Sequence, residues 1–162
     1  MSETLNTTTL LAEGDLAPNF TTDTAEGDAI KLSDYQGKTV ILYFYPRDST
    51  PGCTQQAIDF SKQKDDLVKN NCVILGVSRD THKSHTRFSQ KYDLNFTLIA
   101  DPEETICNTY GVMKQKNMFG KKVKGIERST FIIDPKGRIQ KIWRKVKVPG
   151  HVDEVVNFIA GL

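Results

Sequence analysis

The residues best placed for chemistry lie between positions 40 and 60, in the stretch VILYFYPRDSTPGCTQQAIDF. An apolar run from Val40 to Tyr45 stops at Pro46, a polar loop covers Arg47 to Gly52, and Cys53 opens a segment that reads as a helix. The first N–H groups of a helix have no internal partner, and the helix dipole is positive there. A thiolate at such a place is stabilised, and the thiolate is the nucleophilic form of cysteine. Cys53 is therefore a candidate redox nucleophile. Taken without its neighbours it reads as a buried structural thiol; Pro46, Thr50 and the place at a strand end turn the reading toward catalysis.

The elements that position it follow from pattern. Thr39 to Tyr45 is a β-branched and apolar run of the kind that forms a central strand covered on both faces. The helix after Cys53 is predicted to turn Ala57, Phe60, Leu67 and Val68 inward and to end at Asn70-Asn71. Cys72 to Val77 is a second continuous strand. A helix over residues 81–93 follows, with Thr81 or Ser84 as its cap. Phe96 to Ala100 is a third strand. Asp101-Pro102-Glu103-Glu104 signals a helix start with proline at the first position. Residues 114–126, basic and glycine-containing, read as a loop.

Arg128 to Asp134 and Arg138 to Val146 are two strands joined across Asp134-Pro135-Lys136-Gly137. Val152, Val155, Val156 and Ile159 recur with helical spacing. Upstream, the short extended pieces Ala17–Thr21 and Ala29–Leu32 flank a turn at Gly27-Asp28 and form a hairpin. Residues 1–14 read as a mobile tail, leaving residues 15–162 as one domain. The order β-hairpin, β-α-β-α-β-α-β-β-α predicts an α/β fold with a mixed sheet and helices on both faces. Functional residues of such folds gather beyond the carboxyl ends of the strands, and Cys53 follows the strand 39–45.

Composition narrows the function classes. The chain has 162 residues, 22 Lys and Arg against 20 Asp and Glu, and a net charge of +2. Dispersed charge of both signs argues against a nucleic-acid partner, which requires a basic stripe. The clusters Lys121-Lys122-Lys124 and Arg144-Lys145-Lys147 read as solvated surface. No apolar run approaches a membrane span and the N-terminus lacks a signal-peptide pattern, so the expected setting is a reducing cytoplasm with no membrane partner. Three widely spaced cysteines, Cys53, Cys72 and Cys107, do not make a secreted disulfide framework. No cysteine–histidine spacing suits zinc, and His82 and His85 read as a solvent-facing pair. No glycine-rich nucleotide loop or phosphate loop is present.

Phe44-Tyr45-Pro46-x-x-x-Thr50-x-x-Cys53 resembles the active-site motif of the peroxiredoxins. The longer string Tyr43 to Pro46 and Thr50-Pro51-Gly52-Cys53-Thr54-Gln55-Gln56-Ala57 is similar to the subfamily called PrxQ or bacterioferritin comigratory protein. The resemblance runs from about Asp15 to the C-terminus. It takes in Gly76-Val77-Ser78-x-Asp80, Ala100-Asp101-Pro102, Tyr110-Gly111-Val112 and Arg128-x-Thr130-Phe131-Ile132-Ile133-Asp134.

The resemblance implies a thioredoxin-like fold and a peroxidase that needs neither cofactor nor metal. In this implied scheme Cys53 attacks hydrogen peroxide or a small organic hydroperoxide and becomes a sulfenic acid. The Thr50 hydroxyl and the Cys53 N–H hold the peroxide oxygens, Arg128 polarises the O–O bond and favours the thiolate, and Pro46 shields the sulfur. Tyr45 and Gln56 stand behind these residues. Gln56, where many peroxiredoxins carry Glu, reads either as a hydrogen-bonding support or as helix surface.

The pattern departs from the subfamily at one place. Many members carry a resolving cysteine five residues after the nucleophile, where this chain has Ile58; others carry it on the helix predicted over 81–93, which has none. Cys72 and Cys107 read as core. The expectation is a one-cysteine cycle with no resolving cysteine, restored by an external thiol such as thioredoxin, glutaredoxin or glutathione, in a monomer. Two competing readings use the same scaffold. A thioredoxin-like thiol-disulfide oxidoreductase would need a second cysteine beside Cys53. A non-catalytic binding module would not need Pro46, Thr50, Cys53 and Arg128 together.

Overall fold

The strand before the cysteine loop is the axis of the molecule. The computed structural model describes residues 10–24 and 28–162, and within them Thr39–Phe44 forms a strand in which all six residues are buried. In chain order the elements are β1 (Thr21–Asp23), β2 (Ala29–Lys31), β3 (Thr39–Phe44), α1 (Pro51–Lys69), β4 (Cys72–Ser78), α2 (His82–Lys91), β5 (Thr97–Ala100), α3 (Thr105–Thr109), β6 (Met113–Met118), β7 (Lys121–Ile126), β8 (Ser129–Ile133), β9 (Ile139–Trp143) and α4 (His151–Ala160). The main sheet has the order β9-β8-β3-β4-β5. β3, β4 and β5 run parallel, and β8 and β9 are antiparallel additions on the other side of β3. This is the mixed α/β sheet expected from the sequence, with β1 and β2 as the small antiparallel hairpin before it.

Strand periodicity divides the core in two. Val40, Leu42 and Phe44 point to one face, where Ile106, Cys107 and Tyr110 from α3 and its end cover them. Ile41, Tyr43 and Tyr45 point to the other, where they meet Cys53, Ala57 and Phe60 of α1, Phe88 of α2 and Val152, Val155 and Ile159 of α4. The apolar face of α1 therefore presses the cysteine turn onto the carboxyl end of β3. Each such buried side chain contributes about 1.5–3 kcal/mol relative to exposure, so the position of α1 is strongly specified.

Four local expectations are corrected. Residues 114–126 are not a loop: β6 and β7 pair as an antiparallel hairpin, closed by Phe119 and Gly120 at φ 53° and 76°. Two successive positive φ values give the mirror-image turn that matches strand twist. Both its faces are largely exposed and lysine-bearing, so no alternation of apolar and polar residues marks it in the sequence. The helix expected from Pro102 begins at Thr105, because Glu104 takes a left-handed φ of 65°. Asp101 still serves its amides, accepting from the N–H of Ile106 at 3.2 Å and of Cys107 at 2.8 Å. Val68 is exposed rather than inward, since Leu67 takes the core position. His85 is buried rather than solvent-facing, because it lies one turn before buried Phe88 on the inner face of α2.

The expected tail over residues 1–14 falls for residues 1–9 outside the described residues. Residues 14–17 run beside the main body: the N–H of Gly14 donates to the Ile139 carbonyl at 2.7 Å, and that of Ala17 to Gly137 at 2.8 Å. Leu11 packs against the core. Among the described residues no helix is long and apolar enough to cross a membrane.

Candidate active site

Cys53 is the third residue of α1, behind Pro51 and Gly52. Proline suits the first helical position because its missing N–H would have no partner there. Thr50 caps the helix from an extended backbone, φ −81° and ψ 153°, without its side chain bonding a helix amide. Its hydroxyl donates instead to the Arg47 carbonyl at 2.9 Å. With its one proton committed there, the hydroxyl oxygen keeps its lone pairs for an incoming donor. Thr54 is the first α1 amide to bond back, to the Thr50 carbonyl at 2.9 Å. The earlier amides of Gly52 and Cys53 belong to the turn that no helix satisfies internally. Cys53 itself is 2% exposed, so its sulfur is almost closed to solvent.

Arg128 arrives from 75 residues away and donates from Nη2 to Cys53 Sγ at 3.3 Å. The strand pairing explains how. β8 is antiparallel to β3 with Ser129 opposite Phe44, so the residue just before β8 emerges at the carboxyl end of β3. The other arm of the guanidinium, Nη1, donates to Gln56 Oε1 at 2.7 Å. Gln56 is fully buried and lies one turn after Cys53 on α1. Of the two sequence readings of Gln56, the hydrogen-bonding one describes its place. Because the guanidinium is a planar fork, fixing one arm aims the other. Among the described residues no carboxylate lies within ion-pair distance of Arg128, so the positive charge faces the sulfur without a competing carboxylate.

Pro46 and Tyr45 complete the carboxyl end of β3. The N–H of Tyr45 donates to Val77 at 3.0 Å, and Pro46, with no N–H to give, ends the ladder there. Tyr45 is buried and packs at 5.5 Å from Tyr43, ring centre to ring centre. Burial first, then the charge of neighbouring Tyr43 and Asp48, pushes the Tyr45 phenol well above its ordinary range. It therefore stays a donor, and its hydroxyl reaches Asp48 at 2.6 Å.

The sequence reading missed three residues that shape this site. At Gly52 an added Cβ would lie 3.3 Å from Arg128 Nη2 and 3.7 Å from Val148 Cγ2, so the absence of a side chain leaves room for the guanidinium. Asp48 and His85 meet beneath the loop at 2.8 Å. The spacing of His85 three residues before Phe88 was the available signal for its burial.

The other two thiols are elsewhere. Cys72 opens β4 and pairs with Thr39, the first residue of β3, whereas Cys53 lies past the last. A six-residue strand separates these levels by about 20 Å. Burial raises the Cys72 thiol to about 11. Cys107 is fully buried on the opposite face of the sheet from Cys53, and burial followed by the Asp101 carboxylate pushes its thiol strongly upward. Ile58 is half-buried on α1.

Comparison with known proteins agrees with this geometry. The model of the AhpC/TSA family matches residues 14–142. The chain is 55% identical over 144 residues to a Coxiella burnetii chain assigned as a peroxiredoxin bcp, covering 89% of this chain and 95% of that one. It is 46% identical over 144 residues to the Bacillus subtilis Peroxiredoxin Bcp, covering 89% and 92%. A Xylella fastidiosa PrxQ crystal structure of a cysteine-to-serine mutant superposes with a TM-score of 0.89 at 38% identity, covering 94% of this chain and 98% of that one. The Xanthomonas campestris bacterioferritin comigratory protein, whose alkyl peroxide reduction activity has been studied through trapped intermediate and ligand complexes, superposes with a TM-score of 0.84 at 43% identity, covering 88% and 90%.

The chain belongs to the AhpC/TSA family. Within it, this is a peroxiredoxin of the Bcp/PrxQ branch, a thiol-dependent peroxidase with a thioredoxin-like fold.

Proposed function

We propose that Cys53 is the peroxide-attacking residue and that an external thiol restores it. The observation that carries this reading is the contact of Arg128 Nη2 with Cys53 Sγ at 3.3 Å. The thiolate attacks one peroxide oxygen; the O–O bond breaks, and the departing oxygen leaves with a proton as water or an alcohol. Cys53 becomes a sulfenic acid. The Thr50 oxygen accepts a hydrogen bond from the peroxide, and the Cys53 N–H and Arg128 stabilise charge as it moves onto the leaving oxygen. Pro46 keeps bulk water off the sulfur. Gln56 aims the guanidinium, and Tyr45 supports the loop. Hydrogen peroxide and small organic hydroperoxides fit so enclosed a sulfur. The alkyl peroxide reduction of the Xanthomonas campestris relative supports the second class.

The reading takes the cycle as one-cysteine. An external thiol such as thioredoxin, glutaredoxin or glutathione condenses with the sulfenic acid to a mixed disulfide and water, and a second thiol releases Cys53. Disulfides need Cα atoms within about 7 Å. The roughly 20 Å along β3 to Cys72 and the sheet between Cys53 and Cys107 support this view. The chain is read as a monomer acting in a reducing cytoplasm, without nucleic acid or membrane as partner. In a Cys72→Ser, Cys107→Ser double variant, turnover with the correct reductant stays at the wild-type level, and one equivalent of peroxide adds a single trappable oxygen at Cys53 by intact mass. Collapse of turnover in that variant refutes the one-cysteine cycle. Absence of an adduct at Cys53 refutes the assignment of the nucleophile.

A further inference from the structure

The loop that carries Pro46 and Thr50 is tied down at its centre by a buried polar cluster that the peroxide chemistry does not touch. Asp48 is 6% exposed and His85 3%. Asp48 Oδ1 accepts from the Tyr45 hydroxyl at 2.6 Å. Its Oδ2 accepts from Ser84 Oγ at 2.8 Å and faces His85 Nδ1 at 2.8 Å. The Asp48 N–H donates to Asp80 Oδ2 at 2.8 Å, and Ser78 Oγ donates to that same oxygen at 2.6 Å. One loop residue is thus bonded to the end of β3, to the turn after β4 and to the first turns of α2.

The ring of His85 is equally constrained. Its Nε2 faces the Ile99 carbonyl at 3.0 Å, an atom that only accepts, so Nε2 carries a proton. Its Nδ1 faces the Asp48 carboxylate. Despite burial, which works against the charged form, hydrogen bonds from His85, Tyr45 and Ser84 hold that carboxyl below its ordinary range. The 2.8 Å separation places one hydrogen bond between Nδ1 and Oδ2. The pattern is that of an acid–base pair buried in the core, with both ring nitrogens and both carboxylate oxygens engaged. Removing one partner of such a pair leaves the other a buried polar group without its hydrogen bond.

This arrangement bears on Thr50. Ser49, between Asp48 and Thr50, takes a left-handed φ of 64°, a conformation that a non-glycine residue holds only when its surroundings impose it. The Thr50 hydroxyl is oriented by the Arg47 carbonyl, on the other side of Asp48. Anchoring Asp48 therefore fixes both the backbone twist that presents Thr50 and the carbonyl that orients its hydroxyl.

We propose that the buried Asp48–His85 pair positions the Thr50 hydroxyl for peroxide, which makes Asp48 and His85 positioning residues for the first half of the catalytic cycle. The inference rests on the reading of Thr50 as the residue that holds the peroxide.

The test separates the two half-reactions and then couples the residues. In Asp48→Asn and His85→Gln variants, kcat/KM for hydrogen peroxide falls about 10- to 100-fold, the loss that follows misplacement of an aligned group by about 1 Å. The kcat/KM for the reductant and the rate of Cys53 alkylation by iodoacetamide, neither of which uses Thr50, stay within about twofold of wild type. Asp48→Ala, which removes every acceptor, falls further than Asp48→Asn. In a Thr50→Val background Asp48→Asn costs little more, because residues acting through one another are non-additive.

Should Asp48→Ala not fold, the Asn and Gln variants still decide the question. Equal losses in peroxide reduction and alkylation, or full additivity with Thr50→Val, overturn the inference. An unimpaired Thr50→Val variant instead overturns the underlying role of Thr50.

Discussion

Replacing Arg128 with methionine keeps most of the side-chain length and removes the charge facing Cys53. The magnitude follows from the geometry. Full opposite charges 3.3 Å apart attract by about 5 kcal/mol at an effective dielectric constant of about 20. Arg128 is half-buried, so water screens part of this, and about 2–3 kcal/mol is a fair net value. In the proposed attack the thiolate carries that charge at the start, and the departing oxygen takes it up as the O–O bond breaks. Loss of the guanidinium therefore lowers kcat/KM for peroxide by roughly 30- to 150-fold.

Stopped-flow consumption of hydrogen peroxide under single-turnover conditions measures this, with circular dichroism to verify the fold. Arg128→Lys falls between the two, since an ammonium can meet Sγ or Gln56 Oε1 but lacks the planar fork that meets both. A methionine variant within about twofold of wild type would show that the 3.3 Å contact does not contribute to attack.

Two further outcomes are expected. Gly52→Ala raises helix stability by about 0.5–1 kcal/mol, because glycine is a poor helix former, yet lowers peroxide kcat/KM several-fold because the new Cβ crowds Arg128 Nη2 at 3.3 Å; parallel urea unfolding and kinetics should move in opposite directions, and a variant that gains stability with unchanged kinetics contradicts the crowding argument. His151 is buried, with Nε2 at 2.8 Å from the Thr130 hydroxyl, and burial holds it below its ordinary range. Its folded-state value is depressed, so the unfolded chain binds the proton first, and stability present near pH 7.5 is lost as pH falls below about 6.5. Urea midpoints at pH 7.5 and 5.5 should differ more in the wild type than in His151→Gln, and an equal difference in both removes His151 as the cause.

Much of the scaffold was legible because apolar periodicity reports burial. The six buried residues of β3, the inner face of α4 and the turn at Asp134 to Gly137 all carry their own local signal. The β6–β7 hairpin was not legible, since its lysines are exposed on both faces and its turn uses Phe119 rather than asparagine or aspartate before Gly120. His85 was misread because helical spacing was applied to the pair His82 and His85 instead of to His85 and Phe88. Polar residues inside a core leave no periodic trace unless read with their apolar neighbours.

The sequence by itself determined the setting of Cys53. A strand ending at Pro46, a short loop and a helix opening at Pro51 place Cys53 within the first turn of α1, because backbone preferences and unsatisfied helix amides are local properties. Tertiary structure alone decided which cation meets that sulfur and what holds the loop. Antiparallel pairing of β8 with β3 brings Arg128 to Cys53 across 75 residues. The docking of α2 sets His85 against Asp48 across 37. Both contacts depend on strand register and helix packing, which are settled by burial summed over the whole core and are therefore absent from any single stretch of the chain.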